Sequence, residues 1–155
     1  MSTIIIGVTI SADELHSVLL TKQDNNCFTL EDQICMKLQD GDRPAAYDTI
    51  HGQFMDYVKQ RHVQCVCIKG SAVSLGGTKL AHLHAAELRG VIQAAAASAG
   101  VDVKLMTKAA ASRNFGTRKV DEYLKDETFW SDHNLTQIRK GLREAAFAAI
   151  SEFTD

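Results

Sequence analysis

Proline is almost missing from this chain, since Pro44 is the only one among 155 residues. Low-complexity sequence is also missing beyond a few alanine clusters, and together these features exclude a disordered or linker-like protein. Neither positive nor negative charge predominates, because the formal net charge is -2. The chain therefore has no general attraction to nucleic acids or anionic membranes, and any such binding needs a local basic patch.

Long apolar segments are missing as well. No window has the length of a membrane-spanning helix without charge. The start, Met1 to Gly7, lacks the basic residues and long apolar run of a signal peptide and is typical of a buried strand. These features predict a cytoplasmic protein. The length fits one domain with an ordinary core, and we expect residues 1–155 to form a single domain.

Cysteine is scarce, with four residues in the chain. Cys65 and Cys67 alternate with Val66 and Ile68 in a predicted strand, so their side chains point to the same face. We interpret them as structural thiols of the core. A metal site would favour paired C-x-x-C motifs or histidines in register, which C-x-C in an apolar strand does not supply.

The histidines do not predict a metal site either. His82 and His84 are two positions apart on a predicted helix and point in different directions. His51 and His62 are isolated, and His16 in the second predicted strand fits a half-exposed strand residue better than a ligand. No catalytic Ser-His-Asp or Cys-His arrangement can be inferred from these spacings. We therefore predict no metal and no cofactor.

Hydrophobic periodicity predicts an α/β protein with a mixed sheet and helices on both faces. Strands are expected over 4–10, 14–22, a part of 27–38 centred on 34–38, 63–68 and 101–106. Helices are expected over 43–62, 79–98, 107–124 (one or two short ones, broken near 114–116) and 134–153. Asp42 is the candidate cap of the first helix, with Pro44 in its first turn. We expect the second helix to bury a stripe that begins with Leu80 and Leu83.

A glycine-rich segment follows the fourth predicted strand: V-C-I-K-G-S-A-V-S-L-G-G-T-K, residues 66–79. A Walker phosphate loop needs lysine directly after its second glycine and before Ser or Thr, whereas Gly77, Thr78 and Lys79 have the reverse order. Two interpretations stay open. The loop binds an anion through backbone N–H groups at the start of the following helix, or it is a mobile connection.

Three segments resemble a known family. They are L-R-G-V-I-Q-A-A-A (88–96) with the strand after it, K-A-A-A (108–111) with T-R-K-V (117–120) around Gly116, and the alanine-rich L-R-E-A-A-F-A-A (142–149). With the order of elements, they resemble RuvC-type Holliday-junction resolvases, and more closely small uncharacterised bacterial proteins of the same fold with a basic residue at the position of Lys69. The resemblance implies a ribonuclease H-like fold whose five-stranded sheet has three antiparallel N-terminal strands and two further parallel strands.

The resemblance also implies a site. Nucleases of the family hold two divalent metals between carboxylates of the first strand, the fourth strand and the last helix. The matching residues here are Thr9, Lys69 and Glu144, the last beside Arg143. A lysine ammonium would repel the metal ions. Lys69 either pairs with Glu144 in place of a metal or caps the strand end and reaches solvent.

We therefore expect a protein with a degenerate site that binds a nucleic acid or a protein partner. The alternative is an active magnesium-dependent nuclease with a rearranged site that recruits Glu144, Glu87 or Asp13. A homo-oligomer that uses the exposed side of the long alanine-rich helix is a third possibility. No membrane association is expected.

One charge pattern supports nucleic-acid binding. The segment 103–120 contains five basic residues and no acidic one, and we call these residues the basic strip: Lys104, Lys108, Arg113, Arg118 and Lys119. Together with Lys69 and Lys79 they could contact phosphates. The other interpretation is a solvated surface balanced by the acidic residues downstream: Asp121, Glu122, Asp126 and Glu127.

Overall fold

The first part of the sheet is an antiparallel meander. The computed structural model describes residues 2–24, 27–70 and 79–153. Its first strands are β1 (Thr3–Ile10), β2 (Glu14–Lys22) and β3 (Phe28–Lys37). In their register, His16 of β2 lies between Thr9 of β1 and Cys35 of β3. The register of β2 and β3 shifts once, between Leu19 and Leu20.

Two parallel strands complete the sheet. These are β4 (Cys65–Lys69) and β5 (Asp102–Met106), and the strand order is β3-β2-β1-β4-β5. β1 lies in the centre, antiparallel to β2 and parallel to β4. The predicted five-stranded mixed sheet is therefore confirmed. Its fourth strand starts at Cys65 instead of Val63 and includes Lys69.

Two long helices connect these strands. They are α1 (Arg43–Gln60) and α2 (Leu80–Ser98). The predicted cap of α1 is confirmed, because the Asp42 carboxylate accepts a hydrogen bond of 3.1 Å from the Ala45 N–H. Among the residues that the structure describes, no helix is long and apolar enough to cross a membrane.

The remaining helices are short until the last one. They are α3 (Lys108–Arg113), α4 (Val120–Lys125), α5 (Glu127–Asp132), a 3₁₀ turn (Lys140–Leu142) and α6 (Arg143–Phe153). The break between α3 and α4 lies where it was predicted, around Gly116, which has a φ of +131°. α5 was not predicted; it starts where the Asp126 carboxylate accepts hydrogen bonds from the N–H groups of Thr128 and Phe129.

The sheet has a separate core on each face. Ile6 and Val8 of β1 pack with α1 and α2 residues such as Phe54 and Leu88. Ile5, from the same strand, packs on the other face with α6 and the short helices. Because side chains alternate along a strand, the α6 face also carries Gly7 and Thr9. The prediction of helices on both faces is confirmed.

Two details of the helix prediction are wrong. Leu80 and Leu83 are 66% and 53% exposed, because the buried residues of α2 begin only at Leu88. The last helix begins at Arg143 and not near Asn134, whose φ of +60° is incompatible with a right-handed helix. Leu135, which falls at the start of the predicted helix 134–153, is nevertheless fully buried. The apolar residues that suggested a helix start near Asn134 therefore belong in part to a folded loop.

The buried cysteines are structural, as predicted. Cys65 and Cys67 both face the α6 core, and their sulfur atoms are 4.0 Å apart. The hydrogen bond with Cys65, followed by burial, raises the pKa of the Cys67 thiol. The Cys67 thiol is therefore held in its neutral, unreactive form.

Candidate functional site

The positions singled out by the family resemblance meet where β1, β4 and α6 come together. The parallel register pairs Val8 with Ile68, which places Thr9 and Lys69 side by side at the ends of their strands. Glu144 lies in the first turn of α6, the helix that covers this face. The fold thus brings together three residues that are far apart in the sequence.

Lys69 and Glu144 form an ion pair between Lys69 Nζ and Glu144 Oε1. Their side chains are 33% and 28% exposed. Of the two alternatives for Lys69, the pairing with Glu144 is therefore confirmed. The lysine charge neutralises the carboxylate, so the pair as a whole has no excess negative charge to attract a cation.

The space beside this ion pair is small. A cavity of about 10 Å³ is lined by Lys69 and Glu144 together with Lys108 at the start of α3 and apolar residues of α3, α4 and α6. This is about the volume that one water molecule needs. The structure thus places Lys108 of the basic strip next to the Lys69–Glu144 pair.

The start of α6 is held by Arg143, whose side chain is almost completely buried. Its guanidinium donates to the Leu124 carbonyl at 3.0 Å and to both Glu127 oxygens at 3.1 and 2.8 Å. It also lies 5.4 Å from the centre of the Trp130 ring. The hydrogen bonds from Arg143 lower the pKa of the Glu127 carboxyl. Arg143 therefore positions its neighbour Glu144, a role that the sequence analysis missed.

The basic strip is exposed but partly paired. Lys104 contacts Glu152 at 2.8 Å, Lys108 contacts Asp121 at 3.5 Å, and Arg118 contacts Asp126 at 2.9 Å. The expected balance by downstream acidic residues is confirmed for Asp121 and Asp126. These side chains lie at the surface, where an ion pair contributes little stability and exchanges readily with other charges.

The other members of the predicted binding set are also exposed. Arg113 donates through Nε to the Ala109 carbonyl at 3.2 Å, and Lys119 precedes the first residue of α4. Lys79 precedes the first residue of α2. Residues 71–78 of the glycine-rich segment lie outside the described residues, so both interpretations of that loop stay predictions.

The carboxylates proposed for a rearranged site are held elsewhere. Asp13, in the turn after β1, binds Arg43 of α1 at 3.1 Å. Glu87 of α2 accepts a hydrogen bond of 3.1 Å from the Tyr47 hydroxyl of α1. α1 and α2 pack on the sheet face opposite to α6. Glu87 and Glu144 therefore lie on different sides of the sheet.

A second polar group on the α6 face of the sheet was not predicted. We call Glu14, His16 and Cys35 the Glu14 cluster. Its donor atoms, one per residue, all lie within 4.8 Å of one another. His16 Nε2 is 3.0 Å from Glu14 Oε1, and Cys35 Sγ donates to Glu14 Oε2 at 3.4 Å. His16 is half-exposed, as predicted. Its contact with Cys35 depends on the β2–β3 register, which no spacing in the sequence indicates.

With a central parallel β1–β4 pair, an antiparallel β1–β2–β3 meander and helices on both faces, the chain has a ribonuclease H-like fold. In particular, it is similar to RuvC. No protein-family model and no curated protein matches the sequence.

The similarity to RuvC is one of structure. Thermus thermophilus RuvC superposes with a TM-score of 0.79 at 14% identity, over 96% of this chain and 92% of that one. The T. thermophilus RuvC in complex with a Holliday junction substrate gives 0.78 at 12% identity, with the same coverage. The yeast mitochondrial Holliday junction resolvase gives 0.63 at 9% identity, over 96% of this chain and 77% of that one. At such low identity, these likenesses establish the fold and not the activity.

Proposed function

We propose that this ribonuclease H-like protein has no metal-dependent nuclease activity and binds a nucleic acid at the surface around Lys69 and the basic strip. The observation that carries the proposal is the ion pair between Lys69 and Glu144. It occupies the place where, by the family resemblance, a nuclease would hold its metal ions.

The residues at this place do not fit a pair of magnesium ions. Magnesium needs hard oxygen ligands, and two-metal hydrolysis needs two ions roughly 4 Å apart that are held by several carboxylates. Thr9 and Lys69 supply no carboxylate, and Glu144 is already bound to the Lys69 ammonium. The separate positions of Asp13 and Glu87 weigh against the rearranged alternative.

Nucleic-acid binding is supported by the basic residues that surround this place. Lys108 lies at the same cavity as Lys69, and Lys119 is exposed near the start of α4. Phosphate groups could replace the surface carboxylates Asp121 and Asp126 as partners of Lys108 and Arg118. The solved complex of T. thermophilus RuvC with a Holliday junction makes four-way DNA the first ligand to test.

Cleavage assays test the first part of the proposal. With magnesium or manganese, the protein should not cut four-way, duplex or RNA–DNA hybrid substrates. It should also not bind Mn²⁺ at Glu144, whereas a Thr9→Asp, Lys69→Glu double variant should bind Mn²⁺ because it restores two strand carboxylates. Metal-dependent turnover by the wild type that is lost in Glu144→Ala would show an active nuclease.

Salt-dependent binding tests the second part. Affinity for four-way DNA should fall steeply with salt, and the Lys108→Glu, Lys119→Glu variant should bind at least tenfold more weakly. If each lysine contacts one phosphate, the plot of the logarithm of the association constant against the logarithm of salt concentration should also become less steep, by about 2 units of slope. Fluorescence anisotropy at several salt concentrations measures both.

A matched control separates this site from net charge. Lys59→Glu with Arg61→Glu makes the same charge change at the end of α1, on the other face of the sheet. This variant should keep most of the affinity. Equal losses in both variants, or binding insensitive to salt, would contradict a specific basic site. Absence of binding would leave a protein partner as the ligand.

A further inference from the structure

We propose that Glu14, His16 and Cys35 form a zinc-binding site. The Glu14 cluster lies on the same sheet face as the Lys69–Glu144 pair, with Thr9 of β1 between His16 and Lys69, and neither the fold nor the proposed function accounts for it. Its three side chains offer one oxygen, one nitrogen and one sulfur donor.

The strands place these donors without any special loop. Glu14 and His16 are two residues apart on β2 and therefore point to the same face. Cys35 lies directly opposite His16 on β3, a relation that brings side chains close together across a sheet. Because all three positions belong to regular strands, the arrangement is held by backbone hydrogen bonds rather than by the ion.

The distances between the donors suit a tetrahedral ion. Zinc lies roughly 2.0–2.3 Å from its nitrogen, oxygen and sulfur ligands, so two ligands of one ion are roughly 3.5 Å apart. His16 Nε2 is 3.0 Å from Glu14 Oε1 and Cys35 Sγ is 3.4 Å from Glu14 Oε2, and one donor atom from each of the three residues lies within 4.8 Å of the other two. A small side-chain adjustment therefore opens a space for the ion between them.

The donor set selects the metal. Thiolate and imidazole favour zinc and related ions over magnesium and calcium, which need oxygen ligands. Glu14 and the Cys35 thiolate together carry two negative charges, which match the charge of one Zn²⁺. Binding would displace the Cys35 thiol proton, which is now shared with Glu14, and release it to solvent. The fourth position is left for water, as in sites with three protein ligands.

The surroundings of the cluster favour zinc binding in one respect and oppose it in another. Cys35 is exposed, and Glu14 and His16 are about one-third exposed, so an ion can enter from solvent. Burial, followed by the hydrogen bond with Glu14, raises the pKa of the Cys35 thiol, and the positive charges of Lys37 and Arg139 oppose this rise without cancelling it. The same two positive charges repel a cation. We therefore expect weaker binding than in a structural site with four ligands.

Alkylation of the full chain with N-ethylmaleimide, read out per cysteine by mass spectrometry, tests the site directly. After the thiols are reduced and the reductant is removed under nitrogen, an equivalent of Zn²⁺ should slow the modification of Cys35 at least tenfold. Cys27, also exposed, is the internal control and should react at an unchanged rate. Equal effects on both cysteines, or no effect on Cys35, would overturn the proposal.

Cobalt substitution identifies the ligands. Co²⁺ should give a thiolate-to-metal charge-transfer band that is absent in Cys35→Ser and unchanged in Cys27→Ser. His16→Ala should weaken Co²⁺ binding at least tenfold. The altered side chains are exposed or half-exposed, and circular dichroism verifies that each variant is folded. Absence of the band in the wild type, or its persistence in Cys35→Ser, would refute the site.

Discussion

Replacing Gly7 with alanine should cost at least about 3 kcal/mol of folding free energy, because the new methyl group collides with backbone. A Cβ at Gly7 would lie 1.9 Å from the carbonyl oxygen of Ala145 and 2.8 Å from its carbonyl carbon. These atoms belong to α6 and cannot rotate away as the tip of a side chain would. The helix would have to move off the centre of the sheet, which would open a tightly packed core.

A second glycine provides the control for this change. Gly52 lies in α1, and a Cβ there would meet nothing within 4 Å. Gly52→Ala should therefore stabilise the protein by about 0.5–1 kcal/mol through helix propensity. Urea unfolding followed by circular dichroism measures both variants. If Gly7→Ala were as stable as Gly52→Ala, α6 could not approach β1 as closely as the structure has it.

Trp130→Ala should be the second severe change and should lower the free energy of unfolding by about 3–5 kcal/mol. Trp130 is fully buried under α6, and its Nε1 donates a hydrogen bond of 3.1 Å to the Tyr123 carbonyl. The Phe129 ring meets it edge-on at 5.3 Å, and the Arg143 guanidinium lies 5.4 Å from its centre. Truncation leaves a large cavity, an unpaired carbonyl and a buried cation without its aromatic neighbour.

Trp130→Phe separates these contributions. The phenyl ring keeps most of the apolar contact but leaves the Tyr123 carbonyl without its donor, so we expect a loss of about 1–2 kcal/mol. Leu83→Ala, at a side chain that is 53% exposed, should cost less than about 0.5 kcal/mol. Thermal and urea unfolding should rank the three variants in this order. A Trp130→Ala variant as stable as Leu83→Ala would contradict the described core.

Elements with strong local signals could be predicted well. β2 has the predicted bounds, since the sequence has turn-forming residues on both sides of it. α1 begins after Asp42 because its carboxylate and Pro44 both favour a helix start there. These signals act over a few residues and do not depend on the rest of the fold.

The errors in the helices have a common physical cause. Helical spacing shows that residues such as Leu135 and Leu83 are apolar at regular intervals, but not what covers them. Leu135 is buried by a folded loop, while Leu83 lies on a part of α2 that is exposed. Only the packing of distant elements distinguishes these cases.

The candidate site could also be predicted only in part from the sequence. The family resemblance predicted that Lys69 and Glu144 lie close together, and in the structure they form an ion pair. The contact of the buried Arg143 with Glu127 and the Glu14 cluster could not be predicted, because each depends on a contact between elements or on a strand register. A one-residue change of that register would put Cys35 on the other face of the sheet.

The register shift between β2 and β3 has a consequence for the outer edge of the sheet. Leu19 pairs with Asp32 and Leu20 with Leu30, so Glu31 is the extra residue that bulges out of β3. A bulge bends and twists an edge strand, and an exposed carboxylate such as that of Glu31 opposes the addition of a strand from a neighbouring chain. The bulge at Glu31 thus interrupts the regular row of backbone donors and acceptors along β3. We therefore expect this edge to resist pairing with the edge strand of another chain.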